Sequence, residues 1–158
     1  QLELSDFDLS KTVYFFIEDF ETPIKKYEFD IDINIQDEVY IEADHKLIQR
    51  VISNFITNAI KYTPAKEKIY IEVSETNEFV YFELTNYGVT INDSELDKIW
   101  LPFYRLEQED TNRIKTKGSG IGLYLVSEIL KAHESDFSIT NTKSGVKAYF
   151  KLYKKNEL

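Results

Sequence analysis

The sequence predicts an α+β protein, an α/β sandwich in which several helices pack on one face of a mixed, mainly antiparallel sheet. Three observations predict it. Short segments alternating apolar and polar residues are interspersed with segments whose apolar residues recur at helical spacing. No repeat of fixed period and no low-complexity stretch interrupts them. The chain has 158 residues, 42% hydrophobic and 15% aromatic, which suffices for one sizeable core and hence a single domain over 1–158.

In chain order, Phe7-Asp8-Leu9-Ser10 reads as a short strand followed by a helix cap. Val13, Phe16, Ile17 and Phe20 then form a helical stripe, with Pro23 near the helix end. From Tyr27 to Ile35, Phe29, Ile31, Ile33 and Ile35 alternate with Asp30, Asp32 and Asn34 as a strand, and Glu38 to Glu42 is a second short one. Asp44 caps a longer helix that runs to about Tyr62 and stops before Pro64. Ile69, Ile71 and Val73, then Val80, Phe82 and Leu84, give two antiparallel strands joined by a turn near Thr76-Asn77. The stretch from Asn86 to Lys117 is charged and weakly periodic apart from a short helix at Ser94 to Ile99, and long connections of this kind commonly carry function. A glycine cluster at Gly118 opens a helix to about His133, and the strands Phe137 to Asn141 and Val146 to Tyr153 close the domain.

Composition excludes several chemistries. Without Cys there are no disulfides, thiolate nucleophiles or cysteine-ligated zinc, an economy compatible with a reducing cytoplasm. A formal net charge of -9 argues against general affinity for nucleic acid or anionic lipid, so any anionic ligand must meet a local cluster of cations. No apolar run approaches the roughly 20 residues of a membrane span, and no charged and apolar leader opens the chain, which predicts a soluble protein. The lack of any Met, even at position 1, points to a fragment of a longer protein.

Four constellations carry chemistry. In LIQRVISNFITNAIKY (47–62), at about 100° per residue, Asn54, Asn58, Lys61 and Tyr62 share one face, bordering the apolar arc of Val51, Ile52, Phe55, Ile56 and Ala59. There Asn58 offers an amide oxygen to a hard cation such as Mg²⁺, Lys61 a point charge to phosphate and Tyr62 an aromatic wall. Taken alone, the same residues also suit a solvated helix face. Gly118-Ser119-Gly120-Ile121-Gly122-Leu123 holds three of the chain's five glycines directly before an apolar helical series. Glycine lets backbone approach phosphate oxygens, and the first N–H groups of the helix favour an anion, although a tight turn without ligand has the same composition. This run follows neither the dinucleotide-binding fingerprint nor the P-loop, since the βαβ context and a Gly-Lys-Ser/Thr ending are both missing.

The third constellation is the long connection itself. Arg105, Arg113, Lys115 and Lys117 concentrate positive charge beside the glycine run, as a lid over a polyphosphate would, tempered by Glu107, Glu109 and Asp110. Trp100, Phe103 and Tyr104 are expected to anchor this loop to the core. The fourth is Thr85-Asn86-Tyr87-Gly88 at a strand end, where Gly88 permits a sharp reversal and Asn86 can accept from a nucleobase amine; an ordinary Asn-containing turn reads the same.

Order and spacing together are more specific than any one motif: NxxxNAxKYTP, NxG after a strand, PFYR, then GxGIGL opening a helix. This series resembles the N, G1, F and G2 boxes of the ATP-binding catalytic domain of bacterial sensor histidine kinases, in the superfamily shared with type II topoisomerases, MutL proteins and heat-shock chaperones. The resemblance spans about Phe7 to Tyr153. It implies a sandwich with a long ATP lid, ATP and Mg²⁺ as cofactors, and the metal on Asn58. Nucleotide-binding positions implied by it are Asn58, Lys61, Tyr62, Asn86, Gly88, Arg105, Lys117, Gly118, Gly120, Ile121, Gly122 and Leu123, with Asn54, Asn58 and Lys61 at the catalytic centre. Three positions depart from the pattern: Asn86 replaces the usual Asp that reads adenine, Thr90 a common glycine, and Glu134-Ser135 a frequent Gly-Gly.

Superfamily members that hydrolyse ATP place a general-base Glu where this chain has Asn54. An amide cannot take the proton, which implies that ATP is held for transfer to another nucleophile. The implied acceptor is a histidine on a dimerisation domain absent from this chain. His45 and His133 lack the sequence context of that histidine and are expected to be surface or capping residues. The implied partners are the protein's own dimerisation domain and a response regulator, with no nucleic acid, no direct membrane contact by this domain, and a monomeric fragment. The implied location is the cytoplasmic part of a membrane-anchored sensor, and the implied activity is that of a protein-histidine kinase whose isolated catalytic piece does not phosphorylate itself. Two other readings share these residues: an anti-sigma-type protein serine kinase, and a degenerate docking module independent of nucleotide.

Overall fold

The alternating runs become a sheet because each presents one apolar face to a common core. A computed structural model describes residues 1–104 and 121–155. Its main sheet has the order β2-β4-β5-β7-β6, with β2 at Asp30–Ile35, β4 at Lys68–Glu75, β5 at Phe79–Tyr87, β6 at Asp136–Asn141 and β7 at Gly145–Tyr153. β2 runs parallel to β4, and the other pairs are antiparallel. The predicted α+β sandwich is the observed architecture. Separate from this sheet, β1 (Leu4–Asp8) and β3 (Tyr40–Asp44) form an antiparallel pair.

Helix α3 (His45–Tyr62) lies on the inner face of the sheet, where Phe55 stacks on Phe82 at 6.2 Å and Phe82 on Phe150 at 5.1 Å. Asp44 caps it as expected, its carboxylate accepting from the Leu47 N–H at 3.2 Å. Helix α4 (Gly122–Ala132) packs beside α3, and α1 (Leu9–Ile17) also packs against α3. Val51, Ile52, Ile56, Val126 and Leu130 are buried between helices and sheet. The opposite sheet face is polar. There Tyr70 and Ser74 donate to the Glu72 carboxylate, while Tyr81 and Thr85 donate to that of Glu83, which stands directly across the strand pair from Glu72. Four hydroxyl donors thus offset a like-charge pair that would otherwise weaken the ladder. Burial first, and the Glu83 carboxylate second, push the Tyr81 hydroxyl far above its ordinary pKa, so it stays a donor.

Four local expectations differ from the structure. The first helix is capped by Asp8 and does not run on to Pro23: a 3₁₀ turn at Glu18–Phe20 separates it from α2 (Glu21–Tyr27). Pro23 is tolerated because it stands in the first turn of α2, where no intrahelical N–H bond is required of it. Tyr27 consequently ends a helix instead of beginning a strand; its carbonyl accepts from Lys66 N–H at 2.8 Å, and Glu28 turns the chain at φ 57. Residues 94–99 form successive turns in place of a helix. That segment folds around Glu95, whose buried carboxylate accepts the Tyr104 hydroxyl at 2.7 Å, a tertiary bond that local periodicity does not reveal.

The fourth concerns the aromatic anchors. Trp100 packs edge-on against Phe137 at 5.3 Å and Tyr104 is tied to Glu95, but Phe103 is 69% exposed and adopts φ 65. Two of the three anchor the segment. Phe103 does not, because its left-handed backbone turns the side chain out of the core.

Candidate functional site

The C-terminal half of α3 holds Asn54, Asn58, Lys61 and Tyr62, all half-buried, beside buried Phe55, Ile56 and Ala59. Helical geometry and an apolar arc that must face the sheet leave these four along its border. The Lys61 ammonium lies 5.0 Å from the centroid of the Tyr62 ring, a cation–π contact that holds the charge at the helix end. Among the described residues the Asn58 side chain makes no hydrogen bond, so its oxygen is available to a ligand.

Gly122, the last glycine of the run, meets this helix. A Cβ on Gly122 would lie 2.5 Å from Asn54 Oδ1, closer than real contacts allow, so glycine is what permits α4 to begin against α3. Asn54 is itself fixed, its Nδ2 donating to the Arg50 carbonyl at 2.8 Å. Ile121 takes the N-cap position of α4 without any side-chain cap, and the first turn carries no acidic residue. Among the described residues the leading N–H groups of α4 are therefore left without a side-chain partner, the arrangement that suits an anion. Leu123 packs towards the core. Arg105, Lys117, Gly118 and Gly120, with Arg113 and Lys115, lie outside the described residues.

Asn86 stands near the end of β5 and Gly88 directly after it. Asn86 is buried near the end of β5 on the apolar side, and its side chain makes no hydrogen bond among the described residues. Gly88 has φ 80, donates its N–H to the Ser144 carbonyl at 3.1 Å, and would place a Cβ 2.5 Å from Glu67 Cγ, so both conformation and space call for glycine.

Sequence reasoning missed two supporting residues and one of the two roles of a third. Asn141 grips the backbone of Ile91 from both sides, accepting its N–H at 2.9 Å and donating to its carbonyl at 2.7 Å, which tethers the start of the long connection to β6. No local signal marks a pairing across fifty positions. Gly145 has the Asn86 carbonyl where a side chain would stand. A lone glycine at a strand start does signal such close backbone approach. The third is Asp44, whose carboxylate takes the Glu3 N–H at 2.9 Å besides capping α3.

The Glu3 N–H is the main cause that holds the Asp44 carboxyl below its usual range, opposed by burial and reinforced by the Leu47 N–H. A depressed folded value means that this stabilisation is present above the ordinary carboxylate pKa and lost as pH falls through the depressed one. Asp44→Asn is expected to cost about 1 kcal/mol near neutral pH. The gap between wild-type and variant melting temperatures should close as pH drops below about 4, and a constant gap there would refute the assignment.

The two histidines separate. His45 is half-buried, stacked on Phe7 at 4.2 Å with its Nε2 3.0 Å from the Thr12 hydroxyl, so it is a packed residue, contrary to the expected surface or capping role. His133 is the C-cap of α4, as a capping role requires.

Comparison with known proteins bears on this geometry. Residues 43–156 match the family model described as histidine kinase-, DNA gyrase B-, and HSP90-like ATPase. The chain is 32% identical over 139 residues to the sensor protein VanSB of Enterococcus faecalis, covering 88% of this chain and 31% of VanSB. It is also 32% identical over 101 residues to the sensor histidine kinase WalK of Bacillus subtilis, covering 63% of this chain and 16% of WalK. The chain thus spans about a third or less of these relatives. Among solved structures, the nucleotide-free catalytic domain of the histidine kinase ThkA superposes with a TM-score of 0.84 at 27% identity, covering 98% of this chain and all of that one. ThkA in complex with the response regulator protein TrrA superposes at 0.80 with 26% identity, covering 98% of this chain and 42% of that one. Among the described residues no helix is long and apolar enough to cross a membrane.

Proposed function

Because the chain belongs to the histidine kinase-, DNA gyrase B- and HSP90-like ATPase family, we propose that it is the part of a sensor histidine kinase that binds Mg-ATP and donates the γ-phosphoryl group to a histidine elsewhere in the same kinase. The observation that supports this most is the contact of Gly122 with Asn54, which joins the amide-bearing face of α3 to the uncapped start of α4.

In this reading the phosphates lie at the N-terminus of α4, where backbone N–H groups receive negative charge, and Lys61 adds a cation from α3. Asn58 would hold Mg²⁺. A single amide oxygen fits that ion, which keeps several waters and takes most other ligands from phosphate, and the described residues contain no carboxylate and histidine cluster that would cage a different metal. When bound, the ion supplies charge neutralisation at the phosphates. The chain's own contribution is positioning and electrostatic preorganisation. Asn54 holds no proton acceptor towards water: its amide nitrogen is spent on Arg50 and its oxygen abuts Gly122. Asn54 thus offers water no base, which favours keeping the phosphoryl group for a protein nucleophile. Buried Asn86 accepts from the adenine amine through its oxygen.

The acceptor histidine belongs to another part of the same kinase and the response regulator is a separate partner protein, while this domain acts on the cytoplasmic side of a membrane-anchored sensor. Labelled ATP should transfer phosphate to the histidine when this chain is joined to the dimerisation domain that carries it, while this chain alone should bind nucleotide and stay unlabelled. Label on a serine of a separate protein would favour the anti-sigma type of kinase. No binding of ATP or ADP in the presence of Mg²⁺ would defeat the proposal in favour of a docking module.

Replacement of the adenine-reading amide provides a finer test. Asn86→Asp should tighten adenine nucleotides about fivefold, since a charged acceptor makes the stronger hydrogen bond. Calorimetric titration with ADP and GDP measures it, and weaker ADP binding by the variant would remove Asn86 from the base-reading role.

A further inference from the structure

We propose that His133 is a positioning residue for the nucleotide site, setting how far α4 is displaced along α3; this rests on the reading of the site given above. His133 Nδ1 lies 2.8 Å from the Ile129 carbonyl oxygen, which can only accept, so Nδ1 carries the proton. Its Nε2 lies 3.0 Å from the backbone nitrogen of Asp44, which can only donate, so Nε2 is the acceptor. A single neutral tautomer satisfies both bonds.

The bond to Asp44 links the end of α4 to the start of α3, since His133 is the C-cap of one helix and Asp44 the N-cap of the other. Asp44 is held from both of its carboxylate oxygens, by Glu3 and Leu47, so its N–H is a fixed reference point. At the far end of the pair, Gly122 rests against Asn54. At about 1.5 Å per residue, the path from Asp44 to Asn54 is about 15 Å and that from Gly122 back to His133 about 16 Å, so the antiparallel helices are matched in length between two ties. Apolar packing between helices resists separation better than sliding, because side chains can exchange neighbours of similar shape. The directional bond at His133 removes that freedom and sets the start of α4 against Asn54.

Asparagine and glutamine divide the two bonds of the imidazole. His133→Asn reaches the Ile129 carbonyl, as Nδ1 does, but falls short of Asp44. His133→Gln reaches the Asp44 N–H through its side-chain oxygen, as Nε2 does. In nucleotide-free, ¹⁵N-labelled protein the Gly122 amide resonance should move in His133→Asn and stay near its wild-type position in His133→Gln. Titration with Mg-ATP should give about tenfold weaker binding for His133→Asn, equivalent to about 1.4 kcal/mol, and binding within about twofold of wild type for His133→Gln. A role confined to capping α4 predicts the reverse order, and that result would overturn the proposal. Equal affinities, or Gly122 shifts of equal size in both variants, would overturn it too. A wild-type chain that binds no nucleotide would defeat the functional reading, while the Gly122 resonances would still decide the register by themselves.

Discussion

Asn58→Ala should weaken Mg²⁺-dependent ATP binding about a hundredfold, with ATP in the presence of a chelator bound about equally by wild type and variant. The amide oxygen has no partner within the described residues that would share the loss, so removing it acts on the ligand alone. Substitution of groups that only support a metal ligand commonly costs 10- to 100-fold, and an inner ligand should reach the top of that range. Asn58 is half-buried on a helix whose packing rests on Phe55, Ile56 and Ala59, so the variant should fold with little change in melting temperature. Unchanged affinity with Mg²⁺ present would place the metal elsewhere.

The second large effect is expected at Gly122. Gly122→Ala introduces a Cβ only 2.5 Å from Asn54 Oδ1, and Asn54 cannot swing aside without giving up its bond to the Arg50 carbonyl. Overpacking of this kind costs about 2 kcal/mol, which in a domain of this size lowers the melting temperature by about 6 °C. The start of α4 must also move, so ATP affinity should fall about tenfold or more. Asn54→Ala added to Gly122→Ala removes the obstructing oxygen and should restore at least half of the lost melting temperature. If the double variant is no more stable than Gly122→Ala, the clash with Asn54 is not what makes glycine necessary there.

These expectations separate what could be read along the chain from what required its folding. The amide face of α3 was legible because four polar residues at helical spacing beside a continuous apolar arc can have only one orientation in a buried helix. Its cap was legible because Asp44 bonds an N–H three residues away. The strands β4, β5 and β7 were legible from period-two alternation, which permits one side of each strand to face a core. Where the reading failed, at Tyr27, 94–99 and Phe103, local pattern competed with a backbone turn or a distant bond: Lys66 to Tyr27, Tyr104 to Glu95, and the left-handed conformation of Phe103.

By itself the sequence determined the fold class and the family, since these follow from periodicity and from the order of its motifs. Only the tertiary structure decided that Gly122 is pressed against Asn54, that Asn141 clamps Ile91, that Gly145 makes room for the Asn86 backbone, and that His133 ties α4 to the cap of α3. The reason is physical. Such contacts join groups tens of residues apart, their partners are often backbone atoms common to every residue, and their existence depends on distances set by the packing of whole helices and strands.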